Sequence, residues 1–405
     1  MLWNKENTEM NSKIEKAITN LEKSPLFALT LCGKELAHSN FWAWLINLPD
    51  NNGSHPFIDA FIPNFNKTYQ FEEVTREEGN RDLTIYCREN GKGKCFIIEN
   101  KLKAIPTVDQ LEKYVKKFNK KGYSFERGIL TGIEDTLKSK KPKEWGYLSY
   151  SDISKSIKSI NKKRTDKSHH SVIEDYCKDL DSIVTILCLQ CAENQNKYVW
   201  DVPQGIKEIR MADIYLKMEG ENFGKYLRAK IADTPKLWSK KWGKPIVKVS
   251  FNNSKSTISI IYIDNDHSEE DEDGKGRLGI QIEGREFRYY GGPAYPKSPL
   301  MKGFPTTRKD RDNSDILKKT KLFKEFCACG WFLPYDPQDK KYRGEETTMT
   351  KLFLAYKTNE YCHAYQYYLI DAKNPDNTTY DALWDKILNA LSEAKKIIDK
   401  GLITF

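Results

Sequence analysis

The chain is 405 residues long, 30% charged and 39% hydrophobic, with a formal net charge of +9 from 66 Lys and Arg against 57 Asp and Glu. That length accommodates two domains or three, and the modest positive excess suits a polyanionic partner without requiring one. Apolar runs such as 183–189 fall far below the ~20 residues of a membrane span, so no membrane partner is expected. The opening Met1-Leu2-Trp3-Asn4-Lys5-Glu6 lacks a secretory signal, which makes the cytoplasm the expected location.

In chain order, residues 11–48 read as helical, with Glu35 on the second helix and an aromatic face from Phe41, Trp44 and Leu45. Strands are expected near 69–76, 82–88 and 94–101, then a helix over about 107–120 and a short strand at 127–130. Helices resume at about 151–160 and 170–190. This alternation predicts an α/β fold with one central mixed sheet flanked by helices. The character changes near Asn194-Gln195-Asn196-Lys197, so the expected domains are 1–197 and 198–405. In the second, one or two helices cover 206–231. The period then becomes two (Val247, Val249, Phe251; Ile258, Ile260, Tyr262; Leu278, Ile280, Ile282), which predicts an antiparallel sheet in an α+β domain. The acidic segment 268–274 reads as a solvated hairpin tip, because it lacks the residue order of a calcium loop. Residues 291–313 read as a loop and 314–327 as a helix. Strands follow near 351–356 and 364–371. The last helix, about 379–399, carries Leu383, Ile387, Leu391, Ala394 and Ile398 on one core-facing stripe.

The chemistry concentrates in one hairpin. Arg81-Asp82-Leu83-Thr84-Ile85-Tyr86 places an aspartate at the start of one apolar strand, and Cys95-Phe96-Ile97-Ile98-Glu99-Asn100-Lys101 ends the next strand in Glu-x-Lys. Side chains alternate faces along a strand, so Glu99 and Lys101 share one face while Ile98 and Asn100 share the other. The turn Asn90-Gly91-Lys92-Gly93 folds position 82 back against 99–101. Two acids and a lysine converge, the layout a metal-dependent phosphodiesterase needs. The alternative is a plain salt bridge at a hairpin end. Against it, the apolar run 96–98 suits a buried central strand, where unpaired charges are costly. Thr107-Val108-Asp109-Gln110 then opens a helix with Gln110 and Tyr114 on one face; Thr107 and Gln110 also satisfy the pattern of a capping box.

These residues resemble the PD-(D/E)XK nuclease superfamily, in the branch with a Gln-x-x-x-Tyr helix, as in RecB-like nucleases. Asp82 stands at the first metal-binding aspartate, Glu99 at the (D/E), Lys101 at the K, and Gln110 and Tyr114 at the helix motif. Glu35, in Gly33-Lys34-Glu35-Leu36-Ala37-His38-Ser39-Asn40, is similar to the upstream helical glutamate many members bring to the metal. Arg81 replaces the proline of the name, and Asn100 occupies the free position. The likeness extends through Phe41-Trp42-Ala43-Trp44-Leu45-Ile46, Gly128-Ile129-Leu130-Thr131, Trp145 to Ile153 and Ile173-Glu174-Asp175-Tyr176. It covers roughly residues 25–195 and matches bacterial members of unassigned role.

The resemblance implies a restriction-endonuclease-like core and a Mg²⁺-dependent nuclease, with Mn²⁺ as the substitute ion and DNA favoured over RNA as substrate. A role in restriction or antiphage defence is one such setting. Asp82 and Glu99 are the expected metal ligands, helped by a backbone carbonyl at Asn100, with Glu35 binding a second ion or orienting the lysine. Lys101 would hold the attacking water or the phosphate, and would act as a base only if desolvation lowered its pKa. Glu73, Glu77 and Glu78 read as strand-edge charges, with Glu77 a candidate for the metal shell; His38 and His55 are either site neighbours or core hydrogen-bond partners. The alternative function is a non-catalytic nucleic-acid-binding or regulatory protein on a nuclease fold.

The nine cysteines are scattered and should stay reduced in a cytosolic setting. Cys188-Leu189-Gln190-Cys191 and Cys327-Ala328-Cys329 find no matching pair or histidine cluster to complete a zinc set. The lysine-rich runs 138–143 and 161–164 read as solvated loops or phosphate contacts. Trp238, Trp242, Tyr289, Tyr290 and Tyr295 read as core aromatics or base-stacking platforms. For the carboxy-terminal half, sequence recognition, signal sensing and homo-oligomer formation all stay open.

Overall fold

Asn90 and Gly91 both take positive φ, 50° and 79°, the requirement of a two-residue type I′ turn, whose twist matches that of the strands it joins. The strands are β2 (Leu83–Glu89) and β3 (Lys92–Lys101). They pair antiparallel from Glu89 opposite Lys92 to Leu83 opposite Ile98. One further step along that register sets Asp82 opposite Glu99. The computed structural model in which this is seen describes residues 2–30, 35–102, 108–135, 137–193, 196–252, 255–263, 276–292, 321–333, 353–357, 361–370 and 378–403.

The hairpin sits within a sheet ordered β1-β2-β3-β4-β5, where β1 is Gln70–Arg76, β4 is Tyr123–Gly132 and β5 is Trp145–Ser149. β1 and β2 are antiparallel, whereas β3, β4 and β5 run parallel. The sheet is therefore mixed, as the sequence predicts. Cys95, Phe96, Ile97 and Ile98 are at most 3% exposed, as befits a strand covered on both faces. On one face α5 (Val108–Lys116) lies over Tyr86, Cys95, Ile97, Leu130 and Trp145, adding Leu111 to that cluster. Elsewhere α3 (Glu35–Ile46) packs on β1 and β3, α6 (Tyr150–Lys163) packs on α7 (His170–Glu193), and α7 packs on α1 (Leu2–Lys23) and α2 (Pro25–Thr30). The short α4 spans Phe65–Thr68.

Several elements differ from expectation. The helix expected to reach 120 ends at Lys116, and β4 starts at Tyr123 rather than 127. β5 has no strand-like alternation in sequence and forms because β4 offers it a parallel edge. Ser149 then caps α6, its hydroxyl accepting from the Asp152 N–H.

The chain divides into two compact units, 1–193 with 203–215, and 194–202 with 216–405. Tyr198 is buried in the second unit's core, whereas α8 (Gln204–Glu208) goes with the first, Gly205 lying against Ile18 of α1. The boundary at 215/216 falls inside α9 (Ala212–Ala232).

In the second unit a fully antiparallel sheet is ordered β10-β11-β9-β8-β7-β6. Its strands are β6 (Ile246–Asn252), β7 (Lys255–Ile263), β8 (Arg277–Glu283), β9 (Glu286–Gly292), β10 (Phe353–Lys357) and β11 (Tyr361–Leu369). Period-two burial puts Ile258, Ile260, Tyr262, Leu278, Ile280, Ile282 and Phe287 into one core with Phe223, Leu227 and Ile231 of α9. The five expected stripe residues of α11 (Tyr380–Asp399) are all buried in that core. Residues 291 and 292, expected in a loop, close β9 instead. Gly291 lets the Phe326 ring of α10 (Lys321–Ala328) come within 2.4 Å of where a Cβ would stand. The expected segments 268–274, 293–313 and 314–320 lie outside the described residues.

Gly128 of β4 pairs with Trp145 of β5, and a Cβ at Gly128 would stand 2.3 Å from the Trp145 ring. Gly128→Ala is expected to destabilise the first unit by ~1–3 kcal/mol through overpacking. Differential scanning calorimetry should show its transition several degrees lower with the second unit's unchanged.

Candidate active site

Asp82, Glu99 and Lys101 meet where the β2–β3 hairpin ends. Glu99 is 1% exposed. Its Oε1 accepts from Lys101 Nζ at 2.6 Å, Gln110 Nε2 at 2.8 Å and Tyr114 OH at 3.3 Å. Gln110 Nε2 also donates to Tyr114 OH at 2.8 Å, and Tyr114 OH reaches the Asn80 carbonyl at 2.7 Å. The one-turn spacing on α5 thus aims two polar groups at one carboxylate oxygen. The capping partner Thr107 lies outside the described residues. Among the described residues Glu99 Oε2 is buried with no hydrogen-bond partner, a costly condition for a carboxylate oxygen.

Asp82 is half-buried, and its Oδ2 accepts from the Asn100 backbone N–H at 2.6 Å. The approach to it is a tight turn in which Glu77, Gly79 and Asn80 all hold positive φ. Burial pushes the Asp82 carboxyl up to about 6, against the pull of the Asn100 N–H and Lys101 and with the push of Glu35 and Glu77. Burial likewise pushes Glu99 up to about 7; Asp82 adds to the rise, while Lys101 and the Tyr114 hydroxyl oppose it. For Lys101 burial works against the charge, yet Glu99, with Glu35 and Asp82, holds its pKa above the ordinary value. These acidic neighbours favour the charged form of Lys101.

The backbone carbonyl of Asn100 is the group expected to help at the metal; its side chain forms a buried knot, in which Nδ2 donates to the Glu35 carbonyl at 2.9 Å and the Ser39 hydroxyl at 3.2 Å. Its Oδ1 accepts from Thr131 at 3.2 Å and from the Tyr150 hydroxyl. Ser39, Thr131 and Tyr150 were not singled out from the sequence. The available signal was an asparagine inside an apolar strand run, which demands partners.

Of the other candidates, Glu78 Oε2 accepts from Thr75 and Tyr86, both at 2.7 Å, and Glu73 pairs with Lys120 at 2.6 Å. Glu77 is exposed; its backbone N–H donates to the Asp82 carbonyl at 3.4 Å and its carboxylate acts on Asp82 as a charge. His38 Nδ1 meets the Tyr176 hydroxyl at 2.9 Å, and His55 Nδ1 the Ile46 carbonyl at 2.9 Å; both serve as hydrogen-bond partners of the fold. Arg164, in a lysine-rich run read as solvated or phosphate-binding, is instead 6% exposed beside the Phe57 ring and the Pro49 carbonyl. Trp242 and Tyr290 are buried, whereas Trp238 is 43% exposed; Tyr295 lies outside the described residues.

Among the described residues, no three His, Cys, Asp or Glu side chains gather as a metal-binding group. Mg²⁺ does not require three, because it keeps several waters and takes one or two carboxylates. Asp82 and Glu99 fit that need: hard oxygen donors side by side, both raised in pKa by burial, one with an orphaned oxygen. Glu35 joins as a charge felt by both Asp82 and Lys101.

Raised carboxyl pKa values mean that the folded state holds protons the unfolded chain releases near pH 4. Their contribution is fully present below that pH and is lost as pH rises through about 6 and 7. In EDTA the first unit is expected to lose thermal stability between pH 4.5 and 7.5 (both roughly bracketing these values). An Asp82→Asn, Glu99→Gln double variant should flatten that slope in calorimetric scans across pH.

Residues 26–178 match the family model described as the PD-(D/E)XK nuclease superfamily. Neither a curated protein nor a solved structure matches the chain.

Proposed function

We propose that this chain, whose residues 26–178 belong to the PD-(D/E)XK nuclease superfamily, is a divalent-metal-dependent nuclease that hydrolyses phosphodiester bonds in DNA. The observation that carries the reading is the buried Glu99, with one oxygen committed to Lys101, Gln110 and Tyr114, the other without a partner among the described residues, and Asp82 opposite it across the hairpin. Asp82 and Glu99 would hold Mg²⁺, or Mn²⁺ in its place. Bound there, the ion lowers the pKa of a coordinated water and offsets charge on the phosphoryl oxygens.

The chain's own groups divide the remaining work. Lys101, kept charged by Glu99, donates to a phosphate oxygen or holds the attacking water in line. Gln110 and Tyr114 fix the rotamer of Glu99, so that its second oxygen keeps one direction. Their joint contact with Glu99 supports the branch marked by a Gln-x-x-x-Tyr helix. The net charge of +9 favours a polyanionic substrate. No helix among the described residues is long and apolar enough to cross a membrane, which is compatible with a cytoplasmic role such as restriction or antiphage defence. Residues 1–197 would carry the chemistry and 198–405 an accessory role, with self-association one of the options.

Incubation with circular and linear DNA, with and without Mg²⁺, tests the activity and separates endonuclease from exonuclease action. Asp82→Ala and Lys101→Ala are each expected to lower cleavage by at least ~10³-fold with the circular dichroism spectrum unchanged. Cutting that persists in EDTA, or in both variants, overturns the reading. Gln110→Ala should retain activity but lose ~10–100-fold in metal affinity. DNA binding by the inactive variants should weaken steeply with added salt.

A further inference from the structure

Asn100 stands between the catalytic candidates Glu99 and Lys101, is 0% exposed, and spends its whole hydrogen-bonding capacity. Its two amide donations go to the Glu35 carbonyl and the Ser39 hydroxyl of α3. Its oxygen receives Thr131 of β4 and Tyr150 of α6. One side chain thereby ties three elements to the strand that carries the site. Packing alone does not call for it, since Ile98, on the same face of β3, is equally buried as a hydrocarbon. A buried amide is tolerated only when every partner is in place, so the knot has one arrangement.

Its consequence falls on Glu35. Glu35 is the first residue of α3, and its carbonyl is held by the Asn100 amide at 2.9 Å. Its carboxylate acts on both Asp82 and Lys101. We propose that Asn100 is a positioning residue: it pins the start of α3 to β3 so that the negative charge of Glu35 adds to the field of Asp82 and Glu99 on a divalent cation. The proposal rests on reading the site as a cation centre, and it assigns to the free position of the Glu-x-Lys motif a role in tuning that centre.

The test is calorimetric titration of the full chain with Mn²⁺ alone, without nucleic acid. Asn100→Leu removes all four side-chain bonds at similar volume, and about 10-fold weaker Mn²⁺ binding or more is expected. Ser39→Ala removes one of the two bonds to α3 and should give a smaller loss in the same direction; it carries the test if Asn100→Leu does not fold. In a Glu35→Gln background the effect of either variant should largely vanish, because both act through that charge. A folded variant that binds Mn²⁺ like the parent overturns the proposal, as does a loss undiminished by Glu35→Gln. If the parent binds no Mn²⁺, the cation reading falls and the proposal with it. If the parent binds Mn²⁺ but cuts no DNA, the nuclease reading falls while the positioning role stands.

Discussion

Negative charge buried beside negative charge is the constraint on which the site depends. Asp82 and Glu99 lie opposite each other at the end of a hairpin whose apolar strands leave little room for water. Lys101 balances part of that charge. The raised carboxyl pKa values express the remaining imbalance, and a proton or a hard cation are the two ways to relieve it. Such an arrangement stabilises nothing by itself. It is sustained by the packing of a sheet covered on both faces.

The scaffold around this imbalance is correspondingly over-determined. On one face of β3, Gln110 and Tyr114 from α5 take up one oxygen of Glu99. On the other, the Asn100 amide gathers α3, β4 and α6. The alternation of a strand makes this division unavoidable: residues 99 and 101 go to one side and residue 100 to the other. Rigid supports of this kind hold a charged group at a defined orientation, which a metal centre needs.

The second unit follows a different economy. Its sheet is antiparallel throughout, and one face is sealed by α9 and α11 through a single apolar core. The alternating residues expected for β7 and β8 are buried there. Its aromatic residues divide accordingly, with Trp242 and Tyr290 interior and Trp238 in part at the surface.

What the sequence determined by itself is local. Asn90-Gly91-Lys92-Gly93 signals a hairpin turn, and folding back there brings Asp82 against residues 99–101; the structure fixes the register that sets it opposite Glu99. The i, i+4 pair Gln110 and Tyr114, and the core stripe of α11, were legible for the same reason: periodicity needs no knowledge of distant contacts. Only the tertiary structure decided what each polar group meets. That the charged form of Lys101 is favoured follows from the acids near it, Glu99 first. That Asn100 knots together residues 35, 39, 131 and 150 follows from three elements arriving from far along the chain. That Arg164 is buried and residues 203–215 pack with the first unit follows from which surfaces found a partner. Such outcomes depend on burial and on long-range pairing, and neither is written into the spacing of residues along a strand or a helix.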